Sequence, residues 1–404
     1  HWIVNSVVVT GTVDAIRQLA ARSDVERVEA DLVVELIEPI KSDKVVDPGT
    51  RGIGITPGVV AVGARRVWDE LGVDGSGVVV GVLDTGVAGN HIALTSRWRG
   101  NYAPADECWL DAAQLGHSTP MDTHGHGSHV MGTITGLAAD DTIGVAPGAL
   151  WIASNIINSG TGVDFDNGVI ASLEFMADPD NNPLTLDDVP VVVQNSWGVN
   201  EGFSGYYDCD SRWWDAIDNC EAAGVCLTWS AGNEGPGGTS MRSPADRAAS
   251  PTNCFSVGST MTYPPYEISS FSSRGPSGCG GAYAMKPEIM APGSDIYSVD
   301  ATGGYTLMSG TSMAGPHLAG VVALMRASIP DVDVITVKEV LMATAIDLGA
   351  AGEDNNYGHG FVDAYEAVLA VMGGVGTVEG YITDSSTGLP IEGAVVTVSN
   401  EHKP

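Results

Sequence analysis

Lysine is scarce in this sequence, and basic residues as a class are far outnumbered by acidic ones. Lysine and arginine together number 18 against 50 aspartates and glutamates, which gives a formal net charge of -32 at pH 7. Such a chain repels phosphate groups, so we expect no general electrostatic binding to nucleic acid or to an anionic membrane. The five lysines are Lys41, Lys44, Lys286, Lys338 and Lys403.

Long apolar runs and closely paired cysteines are also missing. No stretch of about 18 apolar residues occurs, so we expect no membrane-spanning helix. The cysteines form no C-x-x-C pair of the kind that holds zinc or exchanges thiols. Their scatter is typical of an exported protein with disulfides, whose signal peptide would lie before His1, but it leaves the pairing open. The cysteines are Cys108, Cys209, Cys220, Cys226, Cys254 and Cys279.

Two short segments flank the main body of the chain. Residues 1–40 have the pattern of half a small α+β domain, because "WIVNSVVVT" and "VERVEADLVVELI" alternate like strands around the helical spacing of "TVDAIRQLAARSD". Proline and glycine in residues 41–58 then predict an exposed linker. At the other end, residues 375–404 alternate like exposed β-structure, and we interpret them as the start of a further domain.

The body, residues 59–372, contains short apolar runs separated by helical or loop segments. The runs are "VVVGVLD", "LWIASNII", "VPVVVQNS", "VCLTWSAGN" and "CFSVGS". Continuous rather than alternating runs predict strands that are buried on both faces. The fold class is therefore α/β, with a doubly wound parallel sheet flanked by helices.

Polar residues stand where these predicted strands end. Asp84 follows "VVVGVL", Asn195 and Ser196 follow "VPVVVQ", and Asn233 follows "VCLTWSAG". Because ligands collect at the carboxyl ends of parallel strands, these side chains predict an active-site edge.

Ser312 lies at the start of a predicted buried helix. The segment after it is apolar nearly all round, and Pro316 is tolerated only near a helix start. Free backbone N–H groups at that end would stabilise a developing oxyanion. A serine that merely caps the helix is the plainer interpretation of this position taken alone.

The residues elsewhere in the sequence favour a catalytic role for Ser312. A serine nucleophile needs a base and a carboxylate that orients the base. "DTHGHGSH" offers His124, His126 and His129, and Asp84 ends a strand. The side-chain amide of Asn233 can donate to an oxyanion.

Two other chemistries use part of the same residues. "THGHGSH" resembles the T-H-x-H-x-D-H zinc pattern, but Ser128 stands at the place of the metal-binding aspartate. "DTG" at Asp84 resembles an aspartic protease loop, but such an enzyme needs a second one, and "DSSTG" at Asp384 does not match.

A third alternative keeps the serine and changes its partners. "GTSMA" is one residue short of G-x-S-x-G, and Ser312, Asp347 and His359 follow the α/β-hydrolase order. That interpretation leaves His126 and Asn233 without a use.

Seven blocks together resemble the subtilisin-like serine proteases, with the order aspartate, histidine, serine. They span residues 59–372, and "RWRG", "GVAPGALWIASNI", "NSWG" and "SFSSRGP" are most similar to the bacillopeptidase F branch. The blocks are "VVVGVLDTGV", "HGHGSHVMGT", "VVVQNSWG", "SAGNEG", "FSSRGP", "KPEIMAPG" and "GTSMAGPH".

The resemblance implies a secreted serine endopeptidase with protein or peptide substrates. Asp84 would orient His126, His126 would activate Ser312, and Asn233 would form the oxyanion hole with the Ser312 backbone N–H. His124 and His129 would be structural. A catalytically silent binding or adhesion module on the same fold is the alternative.

The resemblance also implies that substrate binds as an extended strand. Trp197 would wall the pocket for the residue before the scissile bond, and Glu234 would favour a basic residue there unless it is only a solvated charge. The substrate-binding residues would be Gly160, Thr161, Gly162, Ser196, Trp197, Gly198 and Glu234.

Three residues depart from the family pattern near the site. Gly315 stands where Ser or Thr is usual, Ser128 replaces Thr, and Met131 replaces a common Ala. None of them is a reacting group, so we expect altered packing and no loss of chemistry.

No cofactor is required for this chemistry, although many members of the family bind structural calcium. Asp178, Asp180 and Asn182 in "DPDNNPLTLDD" place oxygen ligands at alternate positions, as a calcium loop does, but acidic loops in an acidic protein are usually just solvated.

Both flanking segments resemble known modules. Residues 1–40 resemble part of an inhibitory propeptide. This segment would then be an intramolecular inhibitor of the active site. Self-cleavage would then fall between about Leu36 and Pro57. Residues 375–404 resemble a truncated carboxypeptidase regulatory-like β-sandwich.

Overall fold

The computed structural model describes residues 1–30, 38–41, 54–139, 141–157, 165–200, 205–373 and 387. The predicted β-sandwich of residues 375–404 therefore lies outside the described residues, apart from Thr387. The strands, in chain order, are β1 (Ile40–Lys41), β2 (Gly54–Ile55), β3 (Val79–Asp84), β4 (Trp109–Leu110), β5 (Leu137–Ala138), β6 (Asp141–Thr142), β7 (Leu150–Asn155), β8 (Val192–Asn195), β9 (Cys226–Ser230), β10 (Phe255–Thr260), β11 (Ile289–Pro292), β12 (Ile296–Val299) and β13 (Tyr305–Ser309). The α-helices are α1 (Val13–Ala20), α2 (Pro57–Ala61), α3 (Ala64–Arg66), α4 (His126–Thr135), α5 (Phe165–Ala177), α6 (Trp214–Ala222), α7 (Thr311–Ser328), α8 (Val334–Ala343) and α9 (Ala364–Met372).

Seven strands form one sheet in the order β11-β10-β9-β8-β3-β7-β4, and every neighbouring pair is parallel. The five apolar runs of the sequence become β3, β7, β8, β9 and β10. With helices on both faces, the predicted doubly wound α/β fold is confirmed. The strand order reverses beside β3, which is where folds of this kind bind ligands.

Alternation along β3 explains why its run is apolar throughout. Val80 and Val82 enter a core that includes residues of α4 and α7. Val79 and Leu83 point the other way, into a core that includes residues of α5 and α6. A strand with a core on each face has no polar side.

Helix α7 is the predicted buried helix that carries Ser312. All of its residues from Thr311 to Met325 are buried, and it packs on β8, β9, β10 and β11. Ser312 is its second residue, so the serine lies at the positive end of the helix, beside the carboxyl ends of the strands.

The predicted strands of the first 40 residues are not confirmed. Residues 1–9 form turns and irregular chain, residues 25–30 are irregular, and residues 31–37 lie outside the described residues. The predicted helix is present as α1, where the Thr12 side chain accepts a hydrogen bond from Ala15 N at 3.3 Å. A strand needs a hydrogen-bonded partner, and the described residues offer none alongside residues 1–9.

The end of the predicted linker is ordered and not an exposed connection. Gly54 and Ile55 pair in parallel with β6, and Pro57 begins α2. Gly58 is buried against the imidazole of His317, where a Cβ atom would overlap the ring. The body therefore begins a few residues before the predicted boundary at residue 59.

One disulfide, between Cys209 and Cys279, joins two loops of the body. The other four cysteines, Cys226 among them, are buried free thiols. Among the described residues, no helix combines the length and apolar character needed to cross a bilayer.

Candidate active site

Asp84 and His126 form a buried pair at the end of β3. A hydrogen bond of 2.7 Å joins Asp84 Oδ1 to His126 Nδ1, and neither side chain is exposed. Helix α4 can start this close to the strand because Gly127 has no side chain, since a Cβ there would lie 3.0 Å from Asp84 Cβ. The pair fixes the imidazole ring and leaves its other nitrogen, Nε2, available for proton transfer.

The surroundings of His126 favour its protonated form. Burial alone would lower the pKa of His126, but the carboxylate of Asp84, helped by Asp122 and Glu38, raises it above the ordinary histidine value. An imidazolium that forms during a proton transfer is therefore stabilised in place.

Asp122 is a positioning residue that the sequence analysis missed. Its Oδ1 accepts hydrogen bonds from Thr85 Oγ1 and from Gly125 N, at 3.0 and 2.8 Å. Its Oδ2 accepts from the Ser128 hydroxyl at 2.6 Å. The carboxylate thus ties the start of α4 to the end of β3. The only signal in the sequence is an aspartate four residues before His126, which no general rule selects.

Asn233 is oriented with its amide nitrogen outward from helix α7. Its Oδ1 accepts hydrogen bonds from Thr311 N and Thr311 Oγ1, at 2.9 and 3.0 Å. Its Nδ2 donates to the main-chain carbonyl of Glu38 at 3.2 Å. The arrangement is a donor held ready for a peptide oxygen.

Hydroxyl groups fasten the first turn of α7 to the strand ends. Pro316 has no N–H to donate to the Ser312 carbonyl, and Ser196 Oγ donates to that oxygen instead, at 3.3 Å. Ser230 Oγ donates to the Thr311 carbonyl at 3.0 Å. The proline inside the helix thus frees an acceptor that anchors the serine.

The Ser312 hydroxyl is not hydrogen-bonded to the base in this structure. Ser312 Oγ lies 3.5 Å from the Ser196 carbonyl oxygen, and His126 Nε2 is buried with no hydrogen-bond partner among the described residues. Catalytic hydrogen bonds of this kind often tighten only when substrate is bound.

His129 and His317 are buried and have structural hydrogen-bond partners. His129 is wholly buried with Nε2 2.9 Å from the Ile296 carbonyl, and burial lowers its pKa to about 3. Burial also lowers the pKa of His317 to about 4. His124 is partly exposed beside His126, with ring centroids 6.4 Å apart. His129 and His317 therefore stay neutral at physiological pH and do not take up and release protons there.

The α/β-hydrolase alternative has no support in the geometry. His359 Nε2 lies 3.6 Å from Glu353 Oε1, and its backbone N–H donates to the Glu288 carbonyl. Asp347 accepts from Gly352 N at 2.9 Å. Both residues are engaged away from Ser312.

Two predicted pocket residues need correction. Trp197 is wholly buried, with edge-to-face contacts to Trp213 and Trp229 at 5.3 and 5.0 Å between ring centroids, so it is a core residue and not a pocket wall. Glu234 is not a solvated charge, because it pairs with Arg242 and accepts from Ser273 Oγ at 3.1 Å.

The other predicted substrate residues divide into described and undescribed ones. Ser196 and Gly198 follow the end of β8, beside the start of α7. Residues Gly160, Thr161 and Gly162 lie outside the described residues.

The predicted calcium loop uses its oxygens internally. Asp178 Oδ1 and Asp180 Oδ1 both lie 2.8 Å from Asn182 N, which donates to them. Within the described ranges, no group of three or more His, Cys, Asp or Glu side chains converges in a way that could hold a metal ion. Structural calcium stays a prediction.

A segment of the same chain lies across the site. Strand β1 pairs antiparallel with β13, with Ile40 opposite Ser309 and Lys41 opposite Met308. Two residues before Ile40, the Glu38 carbonyl reaches Asn233. This pairing continues to within three residues of Ser312, so residues 38–41 cover the start of α7.

A steric contact explains why residue 315 is glycine, where the family usually has Ser or Thr. A Cβ on Gly315 would overlap the Gln194 amide, with Gln194 Cδ only 2.6 Å away. Gln194 cannot move freely, because it donates to Ser196 Oγ at 3.0 Å and accepts from Thr228 Oγ1 at 2.7 Å. Gly315 and Gln194 are therefore matched in size.

Gly315→Ala will destabilise the protein. We expect the free energy of unfolding to fall by about 1–3 kcal/mol, because the added methyl displaces a hydrogen-bonded side chain. Gly168→Ala is the matched control, since Gly168 is helical with its nearest outside atoms at 3.8 and 3.9 Å, and it should gain about 0.5–1 kcal/mol. Denaturant titration measures both. Equal changes in the free energy of unfolding for the two substitutions would contradict the steric explanation for Gly315.

Comparison with known proteins agrees with this geometry. A model described as the subtilase family matches residues 75–360. Bacillopeptidase F of Bacillus subtilis (strain 168) is 33% identical over 95% of this chain, which spans only 27% of that protein. Subtilisin DY of Bacillus licheniformis is 29% identical over 77% of this chain and 97% of its own length. Fervidolysin of Fervidobacterium pennivorans is 29% identical over 83% of this chain and 46% of its own length. The chain belongs to the subtilase family.

Proposed function

We propose that this protein is a serine endopeptidase that hydrolyses peptide bonds through an acyl-enzyme intermediate. One observation carries the proposal: the Asn233 amide already donates to a main-chain carbonyl, that of Glu38, at 3.2 Å. Ser312 begins the adjacent helix, and His126 is held by Asp84 at 2.7 Å. Donor, nucleophile and base thus meet where a peptide can lie.

The residues divide the chemistry as follows. Ser312 Oγ attacks the carbonyl carbon while His126 Nε2 takes its proton, and the negative oxygen is stabilised by Asn233 Nδ2 and the Ser312 backbone N–H. The C–N bond then breaks, and His126 gives its proton to the leaving amine. Water attacks the acyl ester with His126 again as base, which releases the acid and restores Ser312.

Substrate binding supplies the step that brings Ser312 Oγ to the base. In this structure the hydroxyl faces the Ser196 carbonyl at 3.5 Å. An extended substrate whose N–H donates to that carbonyl displaces the hydroxyl from it. The hydroxyl is then free to rotate toward His126 Nε2, for which the described part of the chain offers no other partner.

Residues 1–40 act in this proposal as the propeptide of an exported precursor. The placement of residues 38–41 across the site supports this role, and they fall within the interval from Leu36 to Pro57 where we expect self-cleavage. The proposed chemistry requires no cofactor. Structural calcium is compatible with the loop at Asp178. Residues 375–404 would begin an accessory β-sandwich.

Peptide hydrolysis with and without the serine tests the function. The matured protein should cleave peptide substrates, and Ser312→Ala should lower kcat/KM by about 10⁶-fold. Ser328→Ala is the matched control, because Ser328 lies at the far end of the same helix and donates only to the Met325 carbonyl. A folded protein that binds peptides without cleaving them would instead establish the silent binding module.

A further inference from the structure

Arg242 lies between the two chain segments that border the reactive serine. Its backbone N–H donates to the Ala231 carbonyl at 3.2 Å, and the next residue, Ser243, exchanges two backbone hydrogen bonds with Val199. The segment after β8 and the segment before Asn233 are thereby joined through Arg242. This position is built into the fold, since these bonds are between backbone atoms.

Glycines on both segments make room for the Arg242 side chain. A Cβ on Gly198 would lie 2.9 Å from Arg242 Cβ. A Cβ on Gly232, which has a φ of 115°, would lie 3.2 Å from Arg242 Cγ and 2.5 Å from Glu234 Oε2. Because Trp197 turns into the core, its neighbour Gly198 faces the opposite side, toward Arg242.

A bound peptide would send one side chain to this place. Its carbonyl carbon lies at Ser312 Oγ, its carbonyl oxygen at Asn233 Nδ2, and its chain runs along the Ser196 carbonyl. The side chain of the residue before the scissile bond is therefore confined between the segments that end in Gly198 and Asn233. Arg242 and Glu234 close the inner end of that space.

The charges at this inner end are already paired. Arg242 Nε donates to Glu234 Oε1 at 2.8 Å, Nη2 donates to the same oxygen, and Nη1 donates to the Gly198 carbonyl at 3.2 Å. Ser273 Oγ donates to Glu234 Oε2. A substrate ammonium group would have to compete with a guanidinium for a carboxylate that the guanidinium holds through two N–H groups.

We propose that Arg242 determines specificity by neutralising Glu234, so that the enzyme rejects lysine and arginine and accepts acidic or uncharged residues before the scissile bond. This inference rests on the proposed function and deepens it. The carboxylate of Glu38, whose carbonyl lies at Asn233, is outside this space, 3.9 Å from His124 and 73% exposed.

Three peptides that differ only in this residue test the proposal. With glutamate, leucine or lysine there, the unmodified enzyme should show kcat/KM for glutamate at least about tenfold above that for lysine, the size of one partly screened charge contact. Arg242→Met leaves Glu234 without its partner and should reverse the order. Glu234→Gln should instead widen the preference for glutamate.

Further variants keep the test decisive. The double variant with Arg242→Met and Glu234→Gln removes both charges and should cleave the lysine and glutamate peptides within about threefold of each other. Arg65→Met removes an exposed arginine paired with Asp69 on α3 and should leave all three rates unchanged. If Arg242→Met misfolds, Glu234→Gln still decides the matter, because it should widen the preference for glutamate over lysine.

The outcomes separate this inference from the proposed function. Cleavage of the leucine peptide with a lysine-to-glutamate ratio that no variant changes would overturn the role of Arg242 and leave the protease intact. Preference of the unmodified enzyme for lysine would also overturn it. Failure to cleave any of the three peptides after removal of residues 1–53, which precede β2, would overturn the proposed function and this inference together.

Discussion

Replacing Asp84 with asparagine will lower kcat by about 10⁴-fold, because the amide no longer holds His126 in the tautomer that presents a basic Nε2. The loss is large because the pair is fully buried and joined at 2.7 Å. The geometry of the site should change little, since asparagine has the same shape. Steady-state kinetics on a peptide substrate measure the effect.

The pH dependence of the same variant gives a second readout. Among the contributions that raise the pKa of His126, the charge of Asp84 is the largest. Activity requires neutral His126, so kcat/KM rises with pH through this pKa. Without the carboxylate the pKa falls, and the residual activity should reach its plateau at a lower pH than in the unmodified enzyme.

Asp69→Asn provides the control for Asp84→Asn. Asp69 is exposed and pairs with Arg65, so its loss should leave kcat and the pH profile unchanged. If Asp84→Asn also kept nearly full activity while folded, Asp84 would not orient the base.

Replacing Asn233 with alanine will lower kcat by about 10²–10³-fold with little change in KM, because its amide stabilises charge that exists only in the transition state. Asn233→Asp keeps the oxygen that accepts from Thr311 and loses the donor. It should therefore lose at least as much activity as alanine. Kinetics on one peptide substrate compare the two variants.

Asn101→Ala is the control for the Asn233 substitutions. Asn101 is exposed and its side-chain amide donates to the Thr95 carbonyl at 2.7 Å, so the kinetics of Asn101→Ala should match those of the unmodified enzyme. A rise in KM with an unchanged kcat for Asn233→Ala would contradict the oxyanion role, since it would show that Asn233 contributes equally to ground-state and transition-state binding.

The sheet and the position of Ser312 could be predicted because they depend on local patterns. Continuous apolar runs identify strands that are buried on both faces, and the carboxyl ends of such strands converge. That is how Asp84 and Asn233 were placed at one edge. Pro316 then limits where the helix can begin, which places Ser312 at its first turn.

The pocket charges could not be predicted because they depend on how a loop closes. Glu234 and Arg242 are eight residues apart, and only the backbone hydrogen bonds of residues 242 and 243 to Ala231 and Val199 bring the guanidinium back to the carboxylate. The sequence shows an acidic residue beside Asn233 and gives no sign that its charge is neutralised.

The predictions for the direction of the Trp197 side chain and for the strands near the start of the chain were wrong for a related reason. Period-two alternation says that neighbours point to opposite faces, but not which of Ser196 and Trp197 faces the core. Contacts with Phe165, Trp213 and Trp229 decide that. The strand pattern of residues 1–9 likewise had no partner strand among the described residues to make it a sheet.

The most direct test of the central claim is intact mass after exposure of the matured protein to a phosphonyl fluoride. We predict one phosphonyl adduct, located by peptide mapping on Ser312, and none on Ser312→Ala from which residues 1–53 have been removed. A folded protein, freed of residues 1–53, that takes no adduct or takes it on another residue would contradict the assignment of Ser312 as the nucleophile.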